Sequence, residues 1–330
     1  MCADSAVVIG LDVGGTSVKA GLVAADGGLV GRDDGLVHFP MASDQGREAV
    51  LAQFDRVLRA LWALAGGRPV VGIGVGMPGP FDYTAGVSLI RGLRKYDSIC
   101  GVNLKDDWRR RLGLDVEFPI RFINDAAAFA LGESRYGVAR GKRRVMAVTL
   151  GTGCGGAFVV DGRIVTEGEG VPRRGEVYHL PFRGSILDEW VSRRGILRLW
   201  QEIDPGRANW DVKELADAAR SGDPAALRLW EEWAAVLADA LGPVAEAFRP
   251  DLLVLGGRIA RSADLFAGPL AARLGGRVAV AADPAAGVRG AASLVWDAAA
   301  AAGAPRRGCP PTAMHGGLMD GRPQDPTSPG

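Results

Sequence analysis

The sequence predicts an α/β fold made of two similar lobes with a cleft between them. Three observations carry this expectation. Short apolar strand-like runs alternate with helical segments along most of the chain. A unit of strand, glycine turn, strand and tight turn occurs twice, over 7–27 and again over 145–162. A strand-like run ends in Asn124-Asp125 directly before a helix-forming segment, and α/β proteins place ligands at such strand ends.

Composition bounds what the chain does. Its 330 residues suit two domains, and a 48% hydrophobic content allows a large core. A net charge of +1, from 39 basic and 38 acidic residues, gives no reason to expect nucleic acid or an anionic membrane as partner. No apolar run reaches the length of a membrane span, and the first residues lack a basic region and a signal core, so a cytoplasmic location is expected. Cys2, Cys100, Cys154 and Cys309 share no metal-ligand or disulfide spacing. With only three histidines besides, no structural zinc is expected.

Residues 7–11 read as a buried strand, 18–23 as its return, and Asp26-Gly27 as a hairpin turn leading to a third strand at 29–31. Between the first two lies Asp12-Val13-Gly14-Gly15-Thr16. Paired glycines followed by threonine leave backbone N–H groups open to phosphate oxygens, and Asp12 could hold magnesium through water. A plain glycine hairpin has the same pattern. Residues 47–64 carry apolar side chains at 50, 54, 57, 58, 61 and 62, the spacing of one helix face, and Gly66-Gly67 ends that helix. A buried strand at 70–75 closes in Gly76-Met77-Pro78-Gly79-Pro80, a stiff loop that is either a ligand wall at Gly79 or only a turn. Residues 103–112 read as a short polar helix.

The run 116–123 then leads to Asn124-Asp125 and a helix over 126–136. Asp125 is a candidate general base for a phosphoryl acceptor; the alternative is that Asn124 or Asp125 caps the helix. After a basic loop, strand 145–150 meets Gly151-Thr152-Gly153-Cys154-Gly155-Gly156. This fits a dinucleotide fingerprint in letters but not in context, because a β-rich stretch at 157–160 follows instead of a helix. That disfavours an oxidoreductase and repeats the first hairpin. Residues 167–175 read as a loop, Glu176, His179, Asp188 and Glu189 as polar groups, and 186–203 as one helix. Helices are expected at 210–221 and from Asp223-Pro224 to 248, with Asp223 as N-cap. A strand at 251–255 ends in Gly256-Gly257; a helix at 262–274, a strand at 278–281 and a closing helix at 290–302 follow. The Pro- and Gly-containing stretch 303–330 reads as a disordered tail.

On these residues the chain resembles the ROK family of sugar kinases, within the actin/hexokinase-like superfamily, over about 7–300. Asp12-Val13-Gly14-Gly15-Thr16 and Leu150 to Gly156 resemble its two phosphate motifs. Phe122-Ile123-Asn124-Asp125 with Leu131-Gly132-Glu133 resembles its sugar and base motif, and Leu255-Gly256-Gly257 its adenosine motif. The resemblance implies a duplicated, ribonuclease H-like fold with a central interlobe cleft. In it, 1–120 with the closing helix 290–302 form a small lobe and 121–289 a large one. It also implies that Asp125 is the base and that Asn124, Glu176, His179, Asp188 and Gly79 line the sugar. Asp12, Gly14, Gly15, Thr16, Lys19, Gly151, Thr152, Gly153, Gly256 and Gly257 would serve ATP and Mg2+. His179 is otherwise a packed polar residue.

Three departures stand out. Residues 180–189 contain no cysteine, where many family members have a zinc motif. Tyr178 replaces a glycine, and Ala127 a second asparagine. The implied activity is ATP-dependent phosphorylation of the 6-hydroxyl of a free hexose. The acidic set Glu176, Asp188 and Glu189 suggests an amino sugar, and kanosamine kinases of antibiotic biosynthesis are the specific resemblance. A glucokinase is the alternative. A ROK-type sugar sensor is the reading of another class; eleven residues before Asp12 leave no room for the DNA-binding module of the repressors. Family members are often dimers, so a homodimer is a possible assembly.

Overall fold

A computed structural model describes residues 6–31, 34–93 and 95–302 of the protein. The expected tail at 303–330 lies outside them. In the first half, β1 (Val7–Val13) and β2 (Ser17–Val23) form a hairpin, and β3 (Leu29–Val30) and β4 (Val37–Pro40) both pair with β2. Then come α1 (Arg47–Leu64), β5 (Val70–Met77), a small hairpin of β6 (Phe81–Asp82) and β7 (Val87–Ser88), α2 (Leu104–Leu112) and β8 (Ile120–Asn124). The sheet runs β3-β2-β1-β5-β8, with β1, β5 and β8 mutually parallel.

The second half opens with α3 (Asp125–Tyr136), β9 (Arg144–Leu150), β10 (Cys154–Val160) and β11 (Arg163–Val165). A hairpin of β12 (Pro181–Phe182) and β13 (Ser185–Ile186) precedes α4 (Asp188–Val191), α5 (Arg193–Ile203), α6 (Val212–Arg220) and α7 (Pro224–Phe248). The chain closes with β14 (Leu252–Gly256), α8 (Ala267–Arg273), β15 (Val278–Val280) and α9 (Ala286–Ala301). This sheet runs β11-β10-β9-β14-β15, with β9, β14 and β15 parallel. Both sheets therefore have an antiparallel hairpin on one side of a central strand and two parallel strands on the other. The expected duplication is present in the topology. Among the described residues, no helix is long and apolar enough to cross a membrane.

Local chemistry explains most elements. On α1, Val50, Phe54, Val57, Leu58 and Leu61 are buried, as the spacing requires, while Trp62 is half-buried. Asp223 caps α7 by accepting from the Ala226 N–H at 2.9 Å, with Pro224 in the first turn. Other expectations need correction. The helix expected over 186–203 is two helices, because Ser192 is extended and caps α5 through the Arg194 N–H. The segment 262–274 splits into a 3-10 turn (Ile259–Leu265) and α8. The closing helix starts at Ala286, four residues earlier than expected. A lobe boundary at 120/121 would cut β8, whose five residues all belong to the first sheet's strand.

Helices α3 and α9 change sides. The chain leaves the first sheet through β8, yet α3 covers the second sheet, with Phe129 against Gly256. It leaves the second sheet through β15, yet α9 covers the first, with its backbone at Val288 and Ala291 against Gly10 and Gly74. The two helices meet at backbone distance. A methyl group on Gly290 would lie 1.8 Å from the Ala128 carbonyl oxygen, and one on Gly132 1.9 Å from that of Ala286. No side-chain rearrangement relieves a clash with backbone. Gly290→Ala should therefore cost about 3 kcal/mol in urea unfolding. A loss below about 0.5 kcal/mol, the usual range of a surface change, would show that the helices are free to separate.

Candidate active site

The carboxyl ends of β1, β5 and β8 lie side by side, with Asp12 in register with Gly76, Gly76 with Ile123, and Met77 with Asn124. Asp12, Asn124 and Asp125 are thereby brought to one sheet edge. Asn124 caps α3: its Oδ1 accepts from the N–H groups of Ala126 (3.0 Å) and Ala127 (3.2 Å). Its Nδ2 then points to the Tyr83 hydroxyl at 3.3 Å, and that hydroxyl donates to the Met77 carbonyl at 3.2 Å. Because Asn124 does the capping, Asp125 keeps an oxygen to spare. Its Oδ1 accepts from the Ala126 N–H at 2.9 Å, and no other residue among those described donates to the carboxylate besides Asp125's own N–H.

Electrostatics set Asp125 apart. Burial, then repulsion from Asp12, raises its pKa above the ordinary carboxylate value, against the Ala126 N–H and the Lys95 charge, which lower it. Asp12 is raised as well, mainly by burial, although Lys19 opposes this. Lys19 Nζ lies 3.6 Å from Asp12 Oδ2 and donates to the Pro284 carbonyl at 3.3 Å, tying the first hairpin to the chain just before α9. Glu133, on the far side of α3, serves the local backbone, where its Oε2 accepts from the Val138 N–H at 3.0 Å beyond the helix end.

The first glycine turn is held by its carbonyls. The Gly14 oxygen accepts from the Tyr96 hydroxyl at 2.6 Å, the Gly15 oxygen from Ser43 Oγ at 2.5 Å and the Thr16 oxygen from the Met41 N–H at 3.0 Å. The Gly14 N–H closes the turn on Ser17. The N–H groups of Gly15 and Thr16 have no backbone partner among the described residues, which leaves them available to an anion. In the second turn Gly151 N–H bonds the Gly153 oxygen at 3.0 Å, and the Gly151 oxygen accepts from Arg193 N–H at 2.9 Å; Thr152 and Gly153 are exposed. The first turn of α3 touches this hairpin, since a methyl on Gly155 would lie 2.9 Å from Ala126 Cβ. Gly257 is exposed at φ +86°, where a side chain would strike the Leu150 carbonyl at 2.3 Å.

The expected sugar-side residues divide into two groups. Gly79 lies against Tyr83, whose hydroxyl is pushed up in pKa by burial and further by Asp125 and Glu176, so Tyr83, Asn124, Asp125 and Glu176 share one neighbourhood. Among the described residues Glu176 has only loose partners, the Arg174 guanidinium at 3.9 Å and His179 Nδ1 at 4.0 Å. His179 Nδ1 is buried with no hydrogen-bond partner among the described residues. Asp188 and Glu189 sit among cations and N–H donors. Asp188 is taken by Arg194 and the Cys154 N–H, and Glu189 pairs with Arg194 at 3.0 Å and Arg198 at 3.7 Å. They are not open carboxylates. The β12–β13 hairpin has Arg183 over Phe182 and Trp190, at 5.2 and 5.5 Å from the ring centres, and Arg183 also pairs with Asp239. Sequence reasoning missed Tyr83, Lys95 and Tyr96. No local pattern marks them; loop closure brings them in.

Comparison with known proteins gives the family and the fold. The sequence model of the ROK family matches residues 8–304. A glucokinase of Thermotoga maritima is 31% identical over 286 residues, covering 80% of this chain and 85% of that protein. The N-acetylgalactosamine kinase AgaK of a Shewanella species is 27% identical over 317 residues, covering 86% and 95%. Among solved structures, a ROK family glucokinase from Streptomyces griseus in complex with glucose and AMPPNP superposes with a TM-score of 0.68 at 25% identity, covering 87% of this chain and 98% of that one. The chain has the two-lobed α/β fold of these kinases.

The raised carboxyls make a stability prediction. A carboxyl whose folded pKa exceeds its unfolded one gives stability that is fully present below the unfolded value and lost as pH rises through the folded value. At neutral pH the ionised Asp125 therefore opposes folding. Asp125→Asn should raise the Tm at pH 7 and flatten its fall above pH 4, about the ordinary carboxylate pKa. A lower Tm at pH 7 would mean that Asp125 is needed for packing.

Proposed function

The chain belongs to the ROK family, and from that membership we propose that it transfers the terminal phosphoryl group of ATP to the 6-hydroxyl of a free hexose. One observation supports this above others: Asn124 caps α3 and so frees the Asp125 carboxylate at the mouth of the first sheet. Asp125 takes the proton from the attacking hydroxyl. A carboxylate raised by burial is a stronger base than one in water and suits that role. Asn124, Glu176, His179 and the wall at Gly79 and Tyr83 orient the sugar ring. The open N–H groups of Gly15 and Thr16, with those of Thr152 and Gly153, hold phosphate oxygens, and Gly256-Gly257 would face the nucleoside.

Among the described residues no three His, Cys, Asp or Glu side chains cluster as a metal cage. Magnesium needs no cage: it binds one or two carboxylates, water and substrate phosphates. The partly exposed Asp12, repelled by Asp125, fits that donor chemistry and would hold the ion through water. When bound, magnesium neutralises charge on the phosphate oxygens.

For the sugar, a neutral glucose-like hexose has the stronger support. Relatives named glucokinase match over most of the chain, and the arginine pairing of Asp188 and Glu189 removes two of the three carboxylates expected to meet an amino group. Kanosamine keeps the support of Glu176 alone.

Asp125→Asn should lower kcat by about 10³-fold, within the range of a lost general base, in a protein that stays folded with a Tm no lower than the wild type's. Near-normal turnover would end the assignment. In a panel of free hexoses with ATP and Mg2+, kcat/KM for glucose should equal or exceed that for kanosamine. A kanosamine preference above about tenfold, some 1.4 kcal/mol, would reverse the ranking.

A further inference from the structure

The loop between β7 and α2 brings Lys95 over the first glycine turn. A methyl group on Gly15 would lie 3.6 Å from its Cδ and 3.9 Å from its Cβ, so its stem runs along the first glycine turn. Its charge acts on Asp125. Lys95 makes no ion pair with any described residue. The carboxylate nearest to it in sequence, Asp97, is engaged otherwise, accepting from the N–H groups of Gly92 at 3.0 Å and Leu93 at 3.1 Å.

The loop is fixed to the turn it overhangs. Tyr96 donates from its hydroxyl to Gly14 and from its backbone to Ser43 at 2.7 Å, and Ser43 in turn holds the Gly15 oxygen. Lys95 is partly buried, and its ammonium, with no ion pair among the described residues, is available to an anion. An anion arriving between the glycine turn and Asp125 would meet it. On the sugar-kinase reading above, on which this inference rests, the phosphoryl group in transfer occupies that gap.

We propose that Lys95 is a catalytic residue that hydrogen-bonds the transferring phosphoryl group and stabilises its charge in the transition state. The bond from the sugar oxygen to phosphorus forms as the bond to the departing ADP oxygen breaks. The hydroxyl proton passes to Asp125, and Lys95 donates hydrogen bonds only. Fixed donors aimed at developing charge are the main catalytic device in such reactions.

Lys95→Met keeps the stem and removes the charge. It should lower kcat by about 10²-fold or more, the cost of one lost transition-state donor, with glucose affinity by calorimetry within about twofold. Lys95→Arg should recover part of the rate. AMPPNP with Mg2+, titrated into both proteins, should bind Lys95→Met about tenfold more weakly, as the loss of one charge-assisted hydrogen bond implies. Unchanged kcat and unchanged AMPPNP affinity would overturn the role of Lys95. A wild-type chain without turnover on any hexose would count against the kinase reading instead, and the AMPPNP titration, which needs no turnover, would still decide Lys95.

Discussion

Everything in this molecule depends on the backbone contact between α3 and α9. Each helix is the continuation of one sheet and the cover of the other. Their crossing at Gly132 and Gly290 leaves no space for a side chain, so the separation of the lobes along this line is fixed by carbonyl oxygens and not by adaptable packing. The arrangement of the candidate site follows from it. Asp125 is the first residue of α3, and Asp12 lies against the start of α9, where a methyl on Gly287 would come within 2.8 Å of its carboxyl carbon. Two helices locked together bring two carboxylates together.

Those carboxylates repel, and the fold tolerates this because other groups share the load. Lys19 stands by Asp12, Lys95 acts on Asp125, and the Ala126 N–H at the head of α3 donates to Asp125. The division of labour between Asn124 and Asp125 matters as much. A helix start needs an acceptor for its open N–H groups. Here the asparagine supplies most of it, so the neighbouring carboxylate is oriented by the helix yet not used up by it. Capping, which competes with catalysis as a reading of this dipeptide, falls mainly to Asn124 and leaves Asp125 open for the proposed role.

The candidate sugar side shows how arginine changes the meaning of an acidic cluster. Glu176, Asp188 and Glu189 read alike in sequence. In the structure Arg194 and Arg198 draw Asp188 and Glu189 into a network beside the β12–β13 hairpin, where Arg198 also lies 4.7 Å from the centre of the Trp190 ring. Asp188 also braces the second glycine turn through the Cys154 N–H. Acidity there serves the shape of the hairpin and turn. Glu176 keeps only the looser contacts with Arg174 and His179, and its charge reaches Tyr83.

The sequence by itself determined the parts governed by local chemistry. Period and caps located α1 and α7, the paired glycines marked both turns, and the repeated strand–turn–strand order revealed the duplication. These are legible because hydrogen-bond demand and side-chain spacing act over a few residues. Local pattern also left errors where a boundary depends on distant packing: the break at Ser192, the early start of α9, and β8 as a whole strand of the first sheet. Only the tertiary structure decided which polar groups share the site. Lys95 and Tyr83 arrive from loops without a motif, and Asp188 and Glu189 are claimed by arginines a few residues on along the chain. Charge pairing depends on distance in space, and a list of residues in order does not contain that distance.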